Sequence, residues 1–147
     1  MQIQLGDVGH IIQLAIAPVF LLTGVGTNLL VLTNRLARII DRSRALENRM
    51  DTLGDSVREE SLAEIAVLFR RATLINIAIT LSTTCGLLIC LVVAALFLGD
   101  AFDIKLANFI GAMFVLAMFS LIGSFVCLLR EIFVAIQALS MGARHRR

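Results

Sequence analysis

Three uninterrupted apolar stretches, Ile11 to Thr33, Ala72 to Leu98 and Leu106 to Leu129, each reach the length of about 20 residues that a bilayer core requires. No other feature constrains the chain as strongly, because backbone in hydrocarbon must satisfy its own hydrogen bonds and segments of this kind therefore fold as helices. Composition agrees: 59% of residues are hydrophobic and 16% charged, with a mean hydropathy of +0.92, more apolar than an average soluble domain. The expected fold is an all-α membrane protein with three transmembrane helices, read as a single membrane domain over residues 1–147. The opening "MQIQLGDVGH" holds one acid and no Lys or Arg, so a cleaved signal peptide is not expected.

The charges are segregated. Residues 34–71 contain eight arginines (Arg35, Arg38, Arg42, Arg44, Arg49, Arg58, Arg70, Arg71) against seven acids, whereas the short "GDAFDIK" between the second and third stretches is acidic on balance. Arginines return after the third stretch at Arg130, Arg144, Arg146 and Arg147. Counting Lys and Arg near span ends puts residues 34–71 and the C-terminus in the cytoplasm and the N-terminus outside. The expected arrangement is therefore that of a multi-pass membrane protein. A net charge of +2 supplies no global field for nucleic acid, and no nucleic-acid partner is expected.

From Leu29 onward apolar residues recur at Leu32, Leu36, Ile39, Leu46, Met50 and Leu53, with Ser43 in the gap, the alternating three and four spacing of a coiled-coil seam. Gly54 in "TLGDS" supplies a helix stop, with Asp55 and Ser56 as caps for the next helix. Leu62, Ile65, Phe69 and Ala72 then carry an apolar stripe into span two. Spans one and two are thus expected to extend into a cytoplasmic helical hairpin over about residues 34–71. Span three is expected to run past Arg130 through "EIFVAIQALSMG" as a juxtamembrane helix, lying in the interface or packing on the hairpin, ahead of a basic tail suited to anionic headgroups.

Span one carries the most informative pattern. At 100° per residue, Gln13, Ala17, Phe20, Gly24, Thr27, Asn28, Val31, Asn34, Arg35, Arg38 and Arg42 lie on one face, while Leu22, Val25, Leu29, Leu32, Leu36 and Ile40 lie opposite. One reading is assembly: Gly24, Gly26 and Thr27 admit a close neighbour, and Asn28 makes an interhelical hydrogen bond. The other is a water-filled path lined by copies of span one, with Phe20 as a constriction and Arg35, Arg38 and Arg42 as a cationic vestibule. Asp41 and Glu47 would temper that vestibule. Pro18, one turn before Phe20, is a candidate hinge.

Asn76, Thr80 and Thr83 on span two, and Ser120, Ser124 and Cys127 beside Gly123 on span three, read as packing faces. No acid falls inside the three stretches as bounded above, which argues against proton- or sodium-coupled transport. Cys85, Cys90 and Cys127 sit in apolar runs without metal-ligand spacing, and His10 reads as an interfacial residue. No enzyme, cofactor or metal site is expected.

The order "DVGHIIQLAIAPVFLLTGVGTNLLVLTNRLARIIDR", a charged hairpin, then "RRATLINIAITLSTTCGLLIC" resembles a bacterial family of small three-span membrane proteins catalogued as a domain of unknown function. The resemblance covers most of the chain and is most specific at "APVFLLTGVG", "LTNRLARIIDR" and "RRATLINIAI". Its motif positions on the stripe are Ala17, Phe20, Gly24, Asn34, Arg35, Arg38 and Arg42; it implies a bacterial inner-membrane protein and no activity. The function expected is a homo-oligomeric, channel-like membrane protein passing small ions along span one. The alternative is a membrane scaffold or regulatory subunit whose hairpin binds a cytoplasmic protein partner.

Overall fold

A computed structural model describes the backbone of residues 5–50, 55–101 and 107–144, with side chains at 9, 10, 12–48, 61–99 and 107–137. Three helices account for these residues: α1 (Leu5–Met50), α2 (Asp55–Ala101) and α3 (Ala107–Arg144). All three are long and apolar enough to span a membrane. At 46 and 47 residues, α1 and α2 have more than twice the length that a bilayer core takes up. Their continuity follows from composition, because straight-chain and apolar residues fill both helices and the single proline, Pro18, is accommodated within α1.

The helix boundaries refine the expected spans. α2 continues through Gly99, Asp100 and Ala101, three residues into the expected outer turn. It starts at Asp55, in keeping with an acidic cap and the acids that follow it. α3 runs unbroken through Arg130 to Arg144. The expected stop at Gly54, the seam residue Leu53 and the remainder of the outer turn lie outside the described residues, as do the side chains of Met50 and Leu139.

Much of the apolar side-chain surface of these helices faces outward. No more than 22% of the most hydropathic window of any helix is buried within the chain, and Leu30, Leu87, Leu116, Phe119 and Leu129 are among the large side chains left exposed. A monomer in water does not carry so much contiguous apolar surface, whereas lipid accepts it.

The helices contribute to two compact units, Met1–Leu29 with Leu81–Gly123 and Leu30–Thr80 with Ser124–Arg147. In the first, Val25 on α1, Cys85 and Ile89 on α2, and Ala117 and Leu121 on α3 form the core, with Leu21, Leu22, Leu29 and Leu88 packed around it. Asn28 is buried there and donates from Nδ2 to the Ser82 hydroxyl at 2.7 Å. Ser120 donates to the Leu81 carbonyl at 2.7 Å. Two helices held at that distance leave little room: a Cβ on Gly123 would stand 3.1 Å from Leu81 Cδ1.

In the second unit, Leu32, Ile39 and Leu46, each seven residues apart on α1, meet Ile65, Leu68, Ile75 and Ala78 of α2, with Leu36, Ala72 and Ile79 alongside. Of the seam expected on α1, Leu32, Leu36, Ile39 and Leu46 thus face α2. That on α2 differs, because Leu62 and Phe69 are exposed and Leu68 with Ile75 takes their place beside Ile65. Apolar residues occupy both sides of this part of α2, so periodicity in the sequence did not decide which side turns inward. From α3, Cys127 and Leu128 pack against the same core, and Ser124 donates to the Ala78 carbonyl at 2.8 Å.

Candidate functional site: a clamped acid beneath an arginine groove

The apolar seam of α3 passes through Ala117, Leu121, Ser124 and Leu128 in steps of four, three and four, and the next step reaches Glu131. Glu131 consequently points inward and has no solvent exposure. A carboxylate so placed needs compensating charge and donors, since an unpaired buried charge costs several kcal/mol at least. Arg71 of α2 provides both: its Nε and Nη2 donate to Glu131 Oε1 at 2.9 and 2.8 Å. Arg35 of α1 brings Nε to 3.1 Å from Oε2, a charge contact outside hydrogen-bond geometry, so Oε2 keeps an unused acceptor. One acid thereby ties residues from all three helices of this unit.

This acid was not singled out in the sequence. Counting apolar residues ended span three at Leu129, two residues short of it, while α3 continues unbroken through Glu131. The available signal was the seven-residue step from Ser124. The stripe Ile132, Phe133, Ile136 and Leu139 drew attention away from it, yet Phe133 and Ile136 are exposed; Glu131 itself packs the helix against its neighbours.

Above the clamp, α1 and α2 border a groove of ≈ 550 Å³ lined by Val31, Asn34, Arg35, Arg38, Ile39, Arg42, Leu68 and Arg71. Arg42 reaches across to α2, donating from Nε and Nη2 to Glu64 Oε1 at 3.0 and 2.8 Å, with both side chains about half exposed. Arg38 is exposed and, among the described residues, has no ion pair. The counter-charges are thus Glu131 and Glu64; Asp41 and Glu47, expected from the sequence to temper the arginines, are exposed and make no ion pair among the described residues.

The eleven residues read as one stripe separate into two rows. Gln13, Ala17, Phe20, Gly24 and Thr27 are exposed in the first unit, as are Val31, Asn34 and Arg38 in the second. Asn28, Arg35 and Arg42, seven residues apart and about 40° round the helix from Gly24, Val31 and Arg38, each contact another helix. Asn28 makes the interhelical bond of the assembly reading, here to a helix of its own chain, and Arg35 is half-buried in the clamp. Thr27 satisfies its hydroxyl by donating to the Thr23 carbonyl at 3.0 Å. Phe20 is 74% exposed at the edge of an apolar depression bordered by Val19, Val93 and Phe97. A Cβ on Gly24 or Gly26 would meet nothing within 4 Å, so no helix of the same chain makes the close approach that these glycines admit.

Span two's Thr80 donates to the Asn76 carbonyl at 2.9 Å, the ordinary fate of a hydroxyl in an apolar helix. Cys85, Cys90 and Cys127 are free thiols, and among the described residues no three His, Cys, Asp or Glu side chains converge.

Three apolar helices with lipid-suited exteriors define a multi-pass α-helical membrane protein. The chain belongs to the family described as protein of unknown function, DUF2721, whose sequence profile matches residues 15–141. Comparison with curated proteins and with solved structures finds no match.

Proposed function

We propose that the protein assembles with copies of itself through the exposed row of α1, and that the assembly is a channel-like conduit for small ions in a bacterial inner membrane. The observation that carries this reading is the row Ala17, Phe20, Gly24, Thr27, Val31, Asn34 and Arg38, spaced by three and four residues and left exposed by its own chain. Three spans do not enclose a path alone, and closed rings are the usual result of self-association. In such a ring Gln13 lies at the outer mouth, Phe20 and Val31 form apolar constrictions, and Arg38 lies at the inner mouth. In this reading the charged ends of α1 and α2, a helical hairpin, and the C-terminus lie in the cytoplasm, which their arginine content supports. No catalytic role is part of this proposal.

A second reading has a specific observation in its favour. With Asn28 turned to Ser82 and Thr27 bonded to its own backbone, the middle of the exposed row offers little polarity to a permeating ion. The row then serves as an assembly seam of small residues, and the protein acts as a scaffold or regulatory subunit whose cytoplasmic hairpin holds a protein partner.

Oligomer structure in lipid nanodiscs, combined with ion flux into proteoliposomes, separates the two. The conduit requires a hydrated axis bordered by Phe20, Gly24 and Arg38, and flux whose charge preference changes in Arg38→Glu. A dry axis with these residues in helix contact, and no flux, leaves the scaffold.

A further inference from the structure

We propose that the groove between α1 and α2 is a binding site for a phosphoryl anion, formed by Arg38 and Asn34 together with the unused donors of Arg35, Arg42 and Arg71. The site is complete within one protomer; Val31, Asn34 and Arg38 also belong to the row proposed above to meet other copies, so its test reads ligand retention and not ion flux.

Among the described residues, four guanidinium groups line the groove and no carboxylate does. Two carboxylates stand behind them: Glu131 against Arg35 and Arg71, and Glu64 against Arg42. The balance is an excess of two positive charges, which suits a phosphate ester or diester. The carboxylates also fix the arginines in place. Arg71 and Arg42 each spend Nε and Nη2 on one carboxylate oxygen, leaving Nη1 uncommitted, and Arg35 engages Glu131 through Nε. Each guanidinium has five N–H donors, so donors remain available on all three, with Arg35 and Arg71 anchored by the buried Glu131 and Arg42 by the exposed Glu64. Arg38, with no ion pair among the described residues, lacks any such prior commitment.

Shape narrows the ligand further. A volume of ≈ 550 Å³ exceeds what a bare tetrahedral anion fills, and Val31, Ile39 and Leu68 give the groove an apolar side. Arg38 lies where α1 passes from "LLVLT" into "NRLARIIDR", the level at which cationic side chains meet headgroups. A phosphodiester lipid headgroup meets charge, volume and apolar wall together; free phosphate meets the charge alone.

The test uses the full chain and three forms: wild type, Arg38→Gln and Arg70→Gln. Arg70 is exposed and outside the groove, so its variant reports general surface charge. In one arm, protein from phosphatidylcholine nanodiscs with and without phosphatidylglycerol is assayed for retained lipid by native mass spectrometry and for the temperature of helix loss. In the other, sodium phosphate is titrated against sodium chloride at matched ionic strength in neutral detergent.

The expected result is retained phosphatidylglycerol, with about tenfold weaker binding in Arg38→Gln, the loss of one charge-assisted contact, and little change in Arg70→Gln. Binding of inorganic phosphate with the same Arg38 dependence, and no selective lipid retention, supports the site and assigns it to a soluble anion. Equal effects of the two variants in both arms, or no binding of either probe, overturns the proposal.

Discussion

Arg71 and Glu131 lie sixty residues apart in the chain and on different helices, and two hydrogen bonds of 2.9 and 2.8 Å join them at a point where Glu131 is wholly excluded from solvent. Arg71 keeps 22% of its side chain exposed, so the arginine is reachable from the groove while the acid is not. That asymmetry makes the acid the anchor and the arginine the adjustable partner.

Removing the arginine is therefore expected to be the severe change. Arg71→Gln leaves Glu131 buried with one imperfect partner, and a loss of about 3–5 kcal/mol is expected for a buried pair broken from one side. Arg42→Gln breaks an exposed pair and costs at most about 1 kcal/mol. Thermal loss of helix by circular dichroism, in one detergent, ranks the two variants. Comparable effects would mean that Glu131 is not sealed in the folded protein. A double variant with Glu131→Gln recovers part of the loss, because the unpaired charge is then absent.

Asn28 distinguishes packing from lining. Asn28→Leu removes its bond to Ser82 and is expected to cost about 1 kcal/mol, the scale of interhelical hydrogen bonds in membranes. Combined with Ser82→Ala, the loss is smaller than the sum of the two single changes. If the assembly conducts, Asn28→Leu leaves its charge selectivity unaltered. A change in selectivity without a change in stability would place Asn28 on the axis instead.

Gly24 separates the protomer from the assembly. An added Cβ meets nothing within 4 Å in the chain, and alanine favours an interior helix position over glycine by about 1 kcal/mol. Gly24→Ala is accordingly expected to preserve or raise protomer stability. Gly24→Leu is expected to shift the population toward monomers in native mass spectrometry, because a bulky side chain disrupts a close seam. An unchanged oligomer in both variants removes Gly24 from any interface.

The cysteines report which side of α2 meets lipid. Cys85 is buried and Cys90 exposed, one and a half turns further along. In nanodiscs a charged, impermeant maleimide is expected to label neither thiol quickly, Cys85 because it is buried in the chain and Cys90 because lipid shields it from the aqueous reagent. Rapid reaction of Cys90 with the impermeant reagent would show that this face of α2 lines water.

The three helices were legible because hydrocarbon leaves a backbone one economical solution, and about 20 apolar residues is what that solution needs. The α1 seam at Leu32, Ile39 and Leu46 was legible for a related reason: every seventh position of a helix returns to nearly the same side. Where apolar residues occur on two sides, as on α2, the same rule had no purchase, and Leu68 and Ile75 replaced Leu62 and Phe69.

Sequence alone thus determined that the chain is three membrane-suited helices with an arginine-rich stretch at the end of the first. Tertiary structure decided which polar residues look outward. Asn28, Arg35 and Arg42 differ from Gly24, Val31 and Arg38 by only about 40° of helix rotation, too little for periodicity to separate. Their partners, Ser82, Glu131 and Glu64, lie on other helices and far away in the chain. Glu131 followed the same logic: its position on the α3 seam was written in the spacing, but its burial depended on two arginines that only folding brings to it.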